Sequence, residues 1–389
     1  QIVACVILSR ADGEGSPVAR LHRILRSFAH AQDDEIVKIL HLAAGNRWTG
    51  AAAPAFAEVA ALRQAGVDAH YAYVGGYKLQ AKIGRFDFTH PIIAKAQNPF
   101  SFASSSGAIS RLMDHHGFDI VHAHLTYDHW LARFGSRGWR TQIARTFHSR
   151  RVIRSDPFTR SLLRNTDLIC VVNDALRKRI RDREPVFTPP PLDDRQFRPD
   201  GDNVREQYGV TEDVPLIVAI GKLSRGRGFE LVLQTFAEVR RRTETARLMI
   251  IGHGDHRPAL ESMGRDLGID ADVIWAGYHE DDLAEHYRAA DFLLFTAEGS
   301  DEGHRAVIEA MACGAVPITA PLAGMEAILG RELSASLIAA DVSAQNLAAC
   351  LLARIAALDV LRKNVVERST EFAYPRAAQR LIGIYSEIL

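Results

Sequence analysis

Residues 215–252 read PLIVAIGKLSRGRGFELVLQTFAEVRRRTETARLMIIG, and this stretch decides the fold. Two short apolar runs, LIVAI at 216–220 and LMII at 248–251, flank a segment in which apolar side chains recur at helical spacing. A strand, a helix and a second strand in this order form a βαβ unit with parallel strands. Helices cover both faces of such a sheet, so its strands are apolar throughout, as these two are. The stretch therefore predicts a doubly wound α/β domain.

The same alternation extends in both directions. Apolar runs such as DVIWAG and DFLLFTA follow, and IVKILHLAA, DIVHAHL and DLICVVN precede it. A stretch with five prolines, 185–199, separates the two series. We predict two Rossmann-like doubly wound parallel-sheet domains, 35–195 and 200–373, that face a cleft, with ligands at the carboxyl ends of the strands. Residues 1–34 show no clear period and are predicted to be an extension outside the fold, or else an arm that binds a partner.

Charge divides the chain in the same place. The 389 residues carry 47 basic and 47 acidic side chains, but residues 1–200 hold 28 basic and 19 acidic ones, and the remainder holds 19 and 28. A balanced total argues against a surface built wholly to grip nucleic acid. The four cysteines are far apart, which argues against a disulfide framework. No run approaches the roughly 20 apolar residues of a spanning helix, so we expect a cytoplasmic protein.

The stretch SDEGHRAVIEAMACGAVPITA, 300–320, carries the most chemistry. An acidic loop with Asp301 leads into a short helix that contains Glu309 and that Gly314 ends. Two carboxylates aimed at a cleft accept hydrogen bonds from a polyol, and the helix start at Gly303 and His304 suits a phosphate. A solvated acidic loop is the alternative interpretation.

This stretch resembles the Glu-x7-Glu signature and the following EAMACG of retaining glycosyltransferases of family 4. The resemblance implies the GT-B fold, in which a C-terminal helix, here 374–389, crosses back to the first domain. It implies that Glu309 binds the nucleotide ribose. The first carboxylate binds the donor sugar, and Asp301, Glu302 and Glu298 are the candidates because Asp301 stands where the family has Glu.

Two further stretches resemble the donor site of the same family. In GKLSRGRGFELVL, 221–233, the resemblance places Lys222 and Arg227 on the donor diphosphate, with Lys and Arg exchanged relative to the family. In VIWAGYHEDD, 273–282, it places Tyr278 and His279 near the nucleotide base. The loop IIGHGD, 250–255, is similar to the family's strand end.

The first domain supplies the acceptor side in this family. A loop after the first strand resembles its glycine-rich loop, although a plain tight turn is the alternative; its members are Gly45, Asn46, Arg47, Thr49 and Gly50. His122 and His124 share one face of the strand DIVHAHL. They suit a metal site, a hydrogen-bonded structural role or, by resemblance, contact with the donor sugar through His124 or His129. No third metal ligand stands at a diagnostic spacing, so we expect no metal.

Residues 133–164 contain nine arginines and one acidic residue. This density predicts an anionic partner, either an acidic or lipid-linked acceptor or a membrane surface. A scattered solvated surface is the alternative, and nucleic acid is disfavoured because aromatic residues are sparse. The predicted patch comprises Arg145, His148, Arg150, Arg151 and Arg154.

The sequence thus predicts a retaining, metal-independent glycosyltransferase without a cofactor. It would move a sugar from a nucleotide-diphosphate sugar to a hydroxyl acceptor in the synthesis of cell-surface polysaccharide, lipopolysaccharide or glycolipid, in the cytoplasm or at the inner face of the membrane. Two alternatives stay open. One is another GT-B enzyme such as a nucleotide-sugar 2-epimerase, and the other is a catalytically silent module that binds sugar nucleotides.

Overall fold

In the part of the chain that the structure describes, two separate parallel sheets form the scaffold. The first has seven strands and the second has five, and all neighbouring strands run parallel. This confirms the predicted α/β architecture of two doubly wound domains. The residues that this computed structural model describes are 37–46, 48, 50–153, 156–180, 183–297 and 302–389. The predicted extension over residues 1–34 lies outside them.

The first domain alternates strands and helices. Its elements in chain order are β1 (Lys38–Ala43), α1 (Ala52–Gln64), β2 (Asp68–Val74), α2 (Lys78–Ile83), β3 (Thr89–Ile93), α3 (Pro99–His116), β4 (Ile120–Ala123), α4 (Thr126–Gly135), β5 (Gln142–Phe147), α5 (Pro157–Arg164), β6 (Leu168–Val171), α6 (Asp174–Arg177) and β7 (Val186–Phe187). The strand order is β3-β2-β1-β4-β5-β6-β7, so the direction of winding reverses between β1 and β4. Ligands bind at such a reversal.

The second domain repeats this plan with one sheet of five strands. Its elements are β8 (Leu216–Ile220), α7 (Phe229–Arg240), β9 (Arg247–Ile251), α8 (Arg257–Asp266), β10 (Val273–Gly277), α9 (Leu283–Ala289), β11 (Phe292–Phe295), α10 (Arg305–Ala312), β12 (Val316–Thr319), α11 (Met325–Leu337), α12 (Ala344–Leu352) and α13 (Leu358–Ser369). The order β10-β9-β8-β11-β12 places the reversal between β8 and β11. Each sheet therefore offers one crevice at its carboxyl end.

The last helix, α14 (Tyr374–Tyr385), returns to the first domain. Its residues Tyr374, Ala377 and Ala378 pack with Ala61 of α1 in a small buried cluster. The chain crosses between the domains twice, and the two crossings lie side by side, since Leu192 N donates to Phe372 O over 2.8 Å. The first sheet is thus covered partly by residues that come from the far end of the sequence.

One segment of the second domain is apolar enough, by length and composition, to cross a membrane. This is Ala344–Phe372, which corrects the sequence-based expectation that no such stretch exists. The segment is divided into α12 and α13, and Leu347, Leu351, Leu361 and Val365 are buried in the core of the second domain. Each of the two helices therefore packs one side onto the core of the second domain.

Candidate active site

The loop between β8 and α7 lies at the reversal of the second sheet. Close backbone contact explains two glycines of the predicted IIGHGD loop. A Cβ on Gly252 would lie 1.9 Å from Gly221 O, and one on Gly254 would lie 1.9 Å from Leu223 O. Leu223 N also donates to His253 O over 3.0 Å. The two loops are therefore packed backbone to backbone, which only glycine permits.

The two predicted diphosphate cations lie on this loop. Lys222, just after β8, is exposed, and Arg227, just before α7, is half-buried. Gly228 begins α7 with a φ of 77°, and its carbonyl accepts a 2.9 Å bond from Thr296 Oγ1, just after β11. This bond holds the loop against the neighbouring strand β11, and Lys222 lies at the start of the loop.

Helix α10 follows the acidic loop and carries Glu309. This carboxylate is buried, forms an ion pair with Arg305 one turn earlier, and has its pKa raised by burial. The residue before the helix, His304, has a φ of 55° and is the only non-glycine residue with positive φ in the described part of the chain. Its Nε2 lies 2.8 Å from Ala323 O, which holds this uncommon conformation in place. Backbone strain of this kind concentrates at functional sites.

The first domain contacts this loop through Glu302. Its Oε1 accepts bonds from Ser149 Oγ and Arg150 N, both 2.9 Å, and its Oε2 lies 3.0 Å from Arg150 Nε. Asn173 adds a second link, since its Nδ2 donates to the carbonyls of Glu302 (3.0 Å) and Ala323 (2.7 Å). The segment before α10 is therefore fixed to the first domain.

Tyr278 and His279, predicted to lie near the base, have different surroundings. Tyr278 is 57% exposed, and its hydroxyl donates a 2.6 Å hydrogen bond to Glu280. Burial of the phenolic oxygen, together with this bond to a carboxylate, raises the pKa of Tyr278 to about 12. His279 has both ring nitrogens engaged, 2.8 Å from Asp282 and 2.9 Å from Ala276 O. The Tyr278 ring is thus accessible to a ligand, whereas the His279 ring is engaged in hydrogen bonds within its own loop.

On the opposite side, the glycine-rich loop follows β1. The Asp128 carboxylate accepts 2.8 Å bonds from Ala44 N and Leu125 N, so one buried side chain holds the ends of β1 and β4. Burial raises the pKa of Asp128 to about 7. Gly45 N donates to Ala43 O in a tight turn. Of the five predicted loop residues, Gly45, Asn46 and Gly50 lie there, and Arg47 and Thr49 lie outside the described residues.

The imidazoles beyond β4 form a hydrogen-bonded chain. His124 is buried, with Nε2 2.9 Å from His41 Nδ1 and Nδ1 3.1 Å from His148 Nε2. His129 is also buried, and its Nε2 lies 2.8 Å from Thr166 Oγ1. His148 has its carbonyl bonded to Glu302 N over 3.0 Å. The backbone of His148 therefore lies at the junction of the domains, and its imidazole contacts His124.

The comparisons with known proteins agree with this geometry. A model described as "Glycosyltransferase Family 4" matches residues 48–191, and one described as "Glycosyl transferases group 1" matches residues 214–356. The chain belongs to the family 4 type of GT-B glycosyltransferases. The second matched region contains both strands of its sheet reversal, β8 and β11, whereas the first begins after β1 and contains β4.

Named relatives of this glycosyltransferase include the N-acetyl-alpha-D-glucosaminyl L-malate synthase of Bacillus anthracis. That protein is 23% identical over 308 residues, which are 75% of this chain and 79% of the relative. The GDP-mannose-dependent alpha-(1-6)-phosphatidylinositol monomannoside mannosyltransferase of Mycolicibacterium smegmatis is 34% identical over 146 residues, 35% of this chain and 38% of the relative. The crystal structure of HepE from Anabaena in complex with UDP aligns with a TM-score of 0.74 at 16% identity, over 90% of this chain and 100% of that one.

The structure corrects two sets of predicted site residues in this glycosyltransferase. Glu302 does not offer a carboxylate to a sugar, because Ser149 and Arg150 occupy both of its oxygens. Asp301 and Glu298, the other candidates for the first carboxylate, lie outside the described residues.

The second correction concerns the predicted basic patch. Arg145 and His148 are buried, since β5 lies inside a parallel sheet whose two faces are covered. Arg150 pairs with Glu302, whereas Arg154 and the side chain of Arg151 lie outside the described residues. The arginines of the basic stretch that are exposed in the described part are Arg133, Arg137, Arg140, Arg160 and Arg164.

The sequence did not point to several residues that hold the loops of the candidate site in place. Lys82 of α2 lies 2.5 Å from Glu280 and 4.8 Å from the Trp48 ring, so it joins the Tyr278 loop to the first domain. Asn173 and Asp128 were likewise not assigned a role. Their only signal in the sequence is a polar side chain at or soon after the end of a buried strand.

Proposed function

We propose that this glycosyltransferase moves a sugar from a nucleoside diphosphate sugar to a hydroxyl group with retention of anomeric configuration. The observation that carries the proposal is the arrangement at the reversal of the second sheet. There the loop with Lys222 and Arg227 is packed onto the ends of β9 and β11. Fixed cations at this place suit a leaving diphosphate, whose negative charge grows in the transition state.

The roles of the donor-site residues follow from this placement. Lys222 and Arg227 bind the diphosphate, together with the helix start at Gly303 and His304. The buried Glu309 carboxylate accepts hydrogen bonds from the ribose, and the exposed Tyr278 ring contacts the base. Asp301 takes the role of the first carboxylate toward the sugar. The names of relatives support a nucleotide donor, since one is GDP-mannose-dependent and the aligned HepE structure holds UDP.

The reaction exchanges one bond at the anomeric carbon for another. The bond from this carbon to the phosphate oxygen breaks, and the bond to the acceptor oxygen forms on the same face. The proton of the acceptor hydroxyl passes to the leaving phosphate. The side chains supply the positive charge that the diphosphate needs, so we propose that transfer requires no metal at the diphosphate.

The first domain would hold the acceptor. We assign the imidazole nearest the sugar to His148, with His124 behind it as a positioning residue, because both nitrogens of His124 are engaged. The glycine-rich loop, fixed by Asp128, lies at the same end of the sheet.

We further propose an anionic, lipid-linked acceptor and peripheral contact with a membrane. The exposed arginines of α5 and the α4–β5 region are accompanied by Phe134, Trp139 and Phe158, of which Phe158 is 76% exposed. Basic and aromatic side chains together suit a surface of anionic lipids. One relative is named for a phosphatidylinositol monomannoside acceptor. Such an acceptor places the enzyme in glycolipid or cell-surface polysaccharide synthesis.

A thermal-shift screen with UDP-, GDP- and ADP-sugars tests the donor site. At a ligand concentration of one hundred times Kd, the matching donor adds about 2.7 kcal/mol to the free energy of unfolding. Glu309→Ala should reduce transfer roughly 10- to 100-fold, because it removes hydrogen bonds to a charged group. Glu332→Ala, at an exposed position of α11, serves as the control.

Two outcomes would refute the proposal. Glu309→Ala with full transfer activity would contradict the donor-site assignment. Donor binding without transfer or hydrolysis would identify a silent binding module, and conversion of the donor sugar without an acceptor would identify an epimerase.

A further inference from the structure

Four buried ligand groups meet on one face of the first sheet. They are His41 of β1, Glu58 of α1, and His122 and His124 at the end of β4, each at most 2% exposed. Glu58 Oε2 lies 3.6 Å from His41 Nδ1, 3.8 Å from His122 Nδ1 and 3.7 Å from His124 Nε2. All four ligand atoms lie within 4.8 Å of one another.

The distances from Glu58 Oε2 to the three imidazole nitrogens are too long for hydrogen bonds. Glu58 Oε2 is buried and has no hydrogen-bond partner among the described residues, although three imidazole nitrogens surround it. A hydrogen bond needs about 3 Å, whereas the ligands of a tetrahedral zinc ion with bonds of about 2.0–2.1 Å lie about 3.3 Å apart. The closest pair, His41 Nδ1 and His124 Nε2, is 2.9 Å apart, so the observed distances bracket the tetrahedral value.

The outer nitrogen of each imidazole has a partner that suits metal binding. His41 Nε2 lies 3.4 Å from Tyr385 Oη, and His122 Nε2 lies 2.7 Å from Thr146 Oγ1. His124 Nδ1 lies 3.1 Å from His148 Nε2. Metal-binding histidines almost always donate their second N–H to a hydrogen-bond acceptor, most often a carboxylate, a carbonyl or water, and this bond fixes the tautomer. Here two hydroxyl oxygens and the His148 Nε2 atom can accept it. With the protons on the outer nitrogens, all three inner nitrogens present lone pairs.

From this arrangement we propose that the first domain binds a zinc ion through His41, His122, His124 and Glu58. Three imidazoles and one carboxylate in a closed four-coordinate site suit zinc, and the lack of an open position gives it a structural role. The ion ties α1 to β1 and β4. The site shares His124 with the proposed acceptor side, but none of its ligands belongs to the loop that carries Lys222 and Arg227, and the inference rests on the four ligand groups alone.

Two contacts must change when the ion binds. The hydroxyl of Tyr385 lies 2.6 Å from His122 Nδ1, and it must turn away from this nitrogen toward His41 Nε2. The proton shared between His41 Nδ1 and His124 Nε2 must move to an outer nitrogen. Glu58 must lose its proton, so zinc affinity rises with pH. Arg145 alternates with Thr146 along β5 and therefore belongs to the opposite face of the sheet, although its positive charge still acts on His122 and His124.

A small pocket lies beside Glu58. It is bordered by Pro189, Pro191 and Arg380, between the segment before the interdomain crossing and α14.

The test uses the full chain and zinc itself. Elemental analysis of protein purified without chelator should give one zinc per chain for the wild type. Glu58→Gln keeps the shape of the side chain but loses the anionic ligand, and it should lose the metal. Two other groups of possible metal ligands lie among the described residues, one formed by His70, His90 and His116 and the other by His279, Asp282 and His286. A control chain with His70→Gln, His90→Gln and His279→Gln breaks both groups and should keep the zinc.

A second measurement covers the case in which Glu58→Gln does not fold. Cobalt(II) added to chelator-treated wild type should give the intense visible bands of four-coordinate nitrogen and oxygen ligation, and zinc should raise its Tm. Absence of zinc from the wild type together with no rise in Tm would overturn the proposal. Zinc that persists in Glu58→Gln and disappears from the control chain would also overturn it, because the metal would then belong to another imidazole group.

Discussion

The carboxyl ends of the two sheets have the same topology, but backbone contacts organise one of them and buried polar side chains organise the other. In both sheets the winding reverses beside the first strand, between β1 and β4 in one and between β8 and β11 in the other. In the second domain, backbone meets backbone at Gly252 and Gly254, and Lys222 projects into solvent. In the first domain, long polar side chains from β1, α1, β4 and α14 meet inside the core.

The difference shows which parts of a site local sequence can encode. Where two backbones approach closely, glycine must stand at fixed positions, and an exposed cation needs no particular neighbours. Both features can therefore be recognised from a short sequence motif. A buried network needs each polar atom to find a partner, and those partners come from distant parts of the chain. The proposed donor side is therefore local in sequence, and the proposed acceptor side is not.

The largest effect should come from breaking the backbone contact of the second domain. Gly254→Ala places a methyl group 1.9 Å from Leu223 O, so we expect a loss of about 3 kcal/mol in the free energy of unfolding and loss of stabilisation by the nucleotide sugar. Gly264→Ala, in helix α8 with nothing within 4 Å, should instead stabilise the protein by up to about 1 kcal/mol. Equal effects in denaturant titrations would show that close backbone contact does not define this loop.

In the first domain, the corresponding substitution is Asp128→Ala, which removes the carboxylate that holds the ends of β1 and β4. It leaves the buried N–H groups of Ala44 and Leu125 without their acceptor, which should cost about 2 kcal/mol of unfolding free energy. It should also raise the acceptor KM and leave the donor Kd unchanged. Asp119→Ala is the control, since Asp119 accepts from Lys38 N at the opposite end of the same strands. If the control raised the acceptor KM as much, stability alone would explain the effect.

The surfaces of the two domains should differ as well. Arg160→Ser with Arg164→Ser removes two exposed charges from α5, each worth about 1 kcal/mol at an anionic membrane. Binding to vesicles of phosphatidylglycerol should weaken at least tenfold in a sedimentation assay, with the thermal shift by donor unchanged. The same change at Arg241 and Arg242, exposed at the end of α7, should leave vesicle binding intact. Equal loss in both variants would mean that binding follows net charge and not the first domain.

The smallest effect concerns pH. Burial lowers the pKa of His90 to about 4, so the folded protein binds fewer protons than the unfolded chain between pH 6.5 and 4. Stability must then fall as pH falls through this window. His90→Gln removes this contribution, and its unfolding free energy should decline less steeply over the same range in urea titrations. An unchanged slope would show that His90 is solvated and plays no part in the acid sensitivity of the first domain.

The fold was largely predictable from sequence, and the reason lies in periodicity. Apolar runs such as 216–220 and the helical spacing of 229–240 define parallel strands and their covering helices without any long-range information. The placement of Lys222, Arg227 and Glu309 on one domain followed from motifs within that domain.

The rest of the site could not be predicted, because it depends on which side chains form hydrogen bonds and ion pairs with one another. Arg145 was expected on a surface, although the same sequence places it in a strand that parallel packing buries. Glu302 was a candidate ligand for the sugar until Arg150, far away in sequence, was seen to occupy it. His41, Glu58 and Tyr385 stand in no common motif, and only the sheet and α14 bring them to His122 and His124.

The return of α14 has a consequence for how the protein is made. Tyr385 lies 344 residues after His41, its partner in the buried network. At a synthesis rate of 5–20 residues per second, a ribosome needs roughly 20–70 s to travel between them. During this time β1 and β4 exist without the helix that covers them, while the whole second domain is being synthesised. The first domain to emerge is therefore the last to be completed, and a nascent chain must keep that apolar face away from its neighbours until α14 arrives.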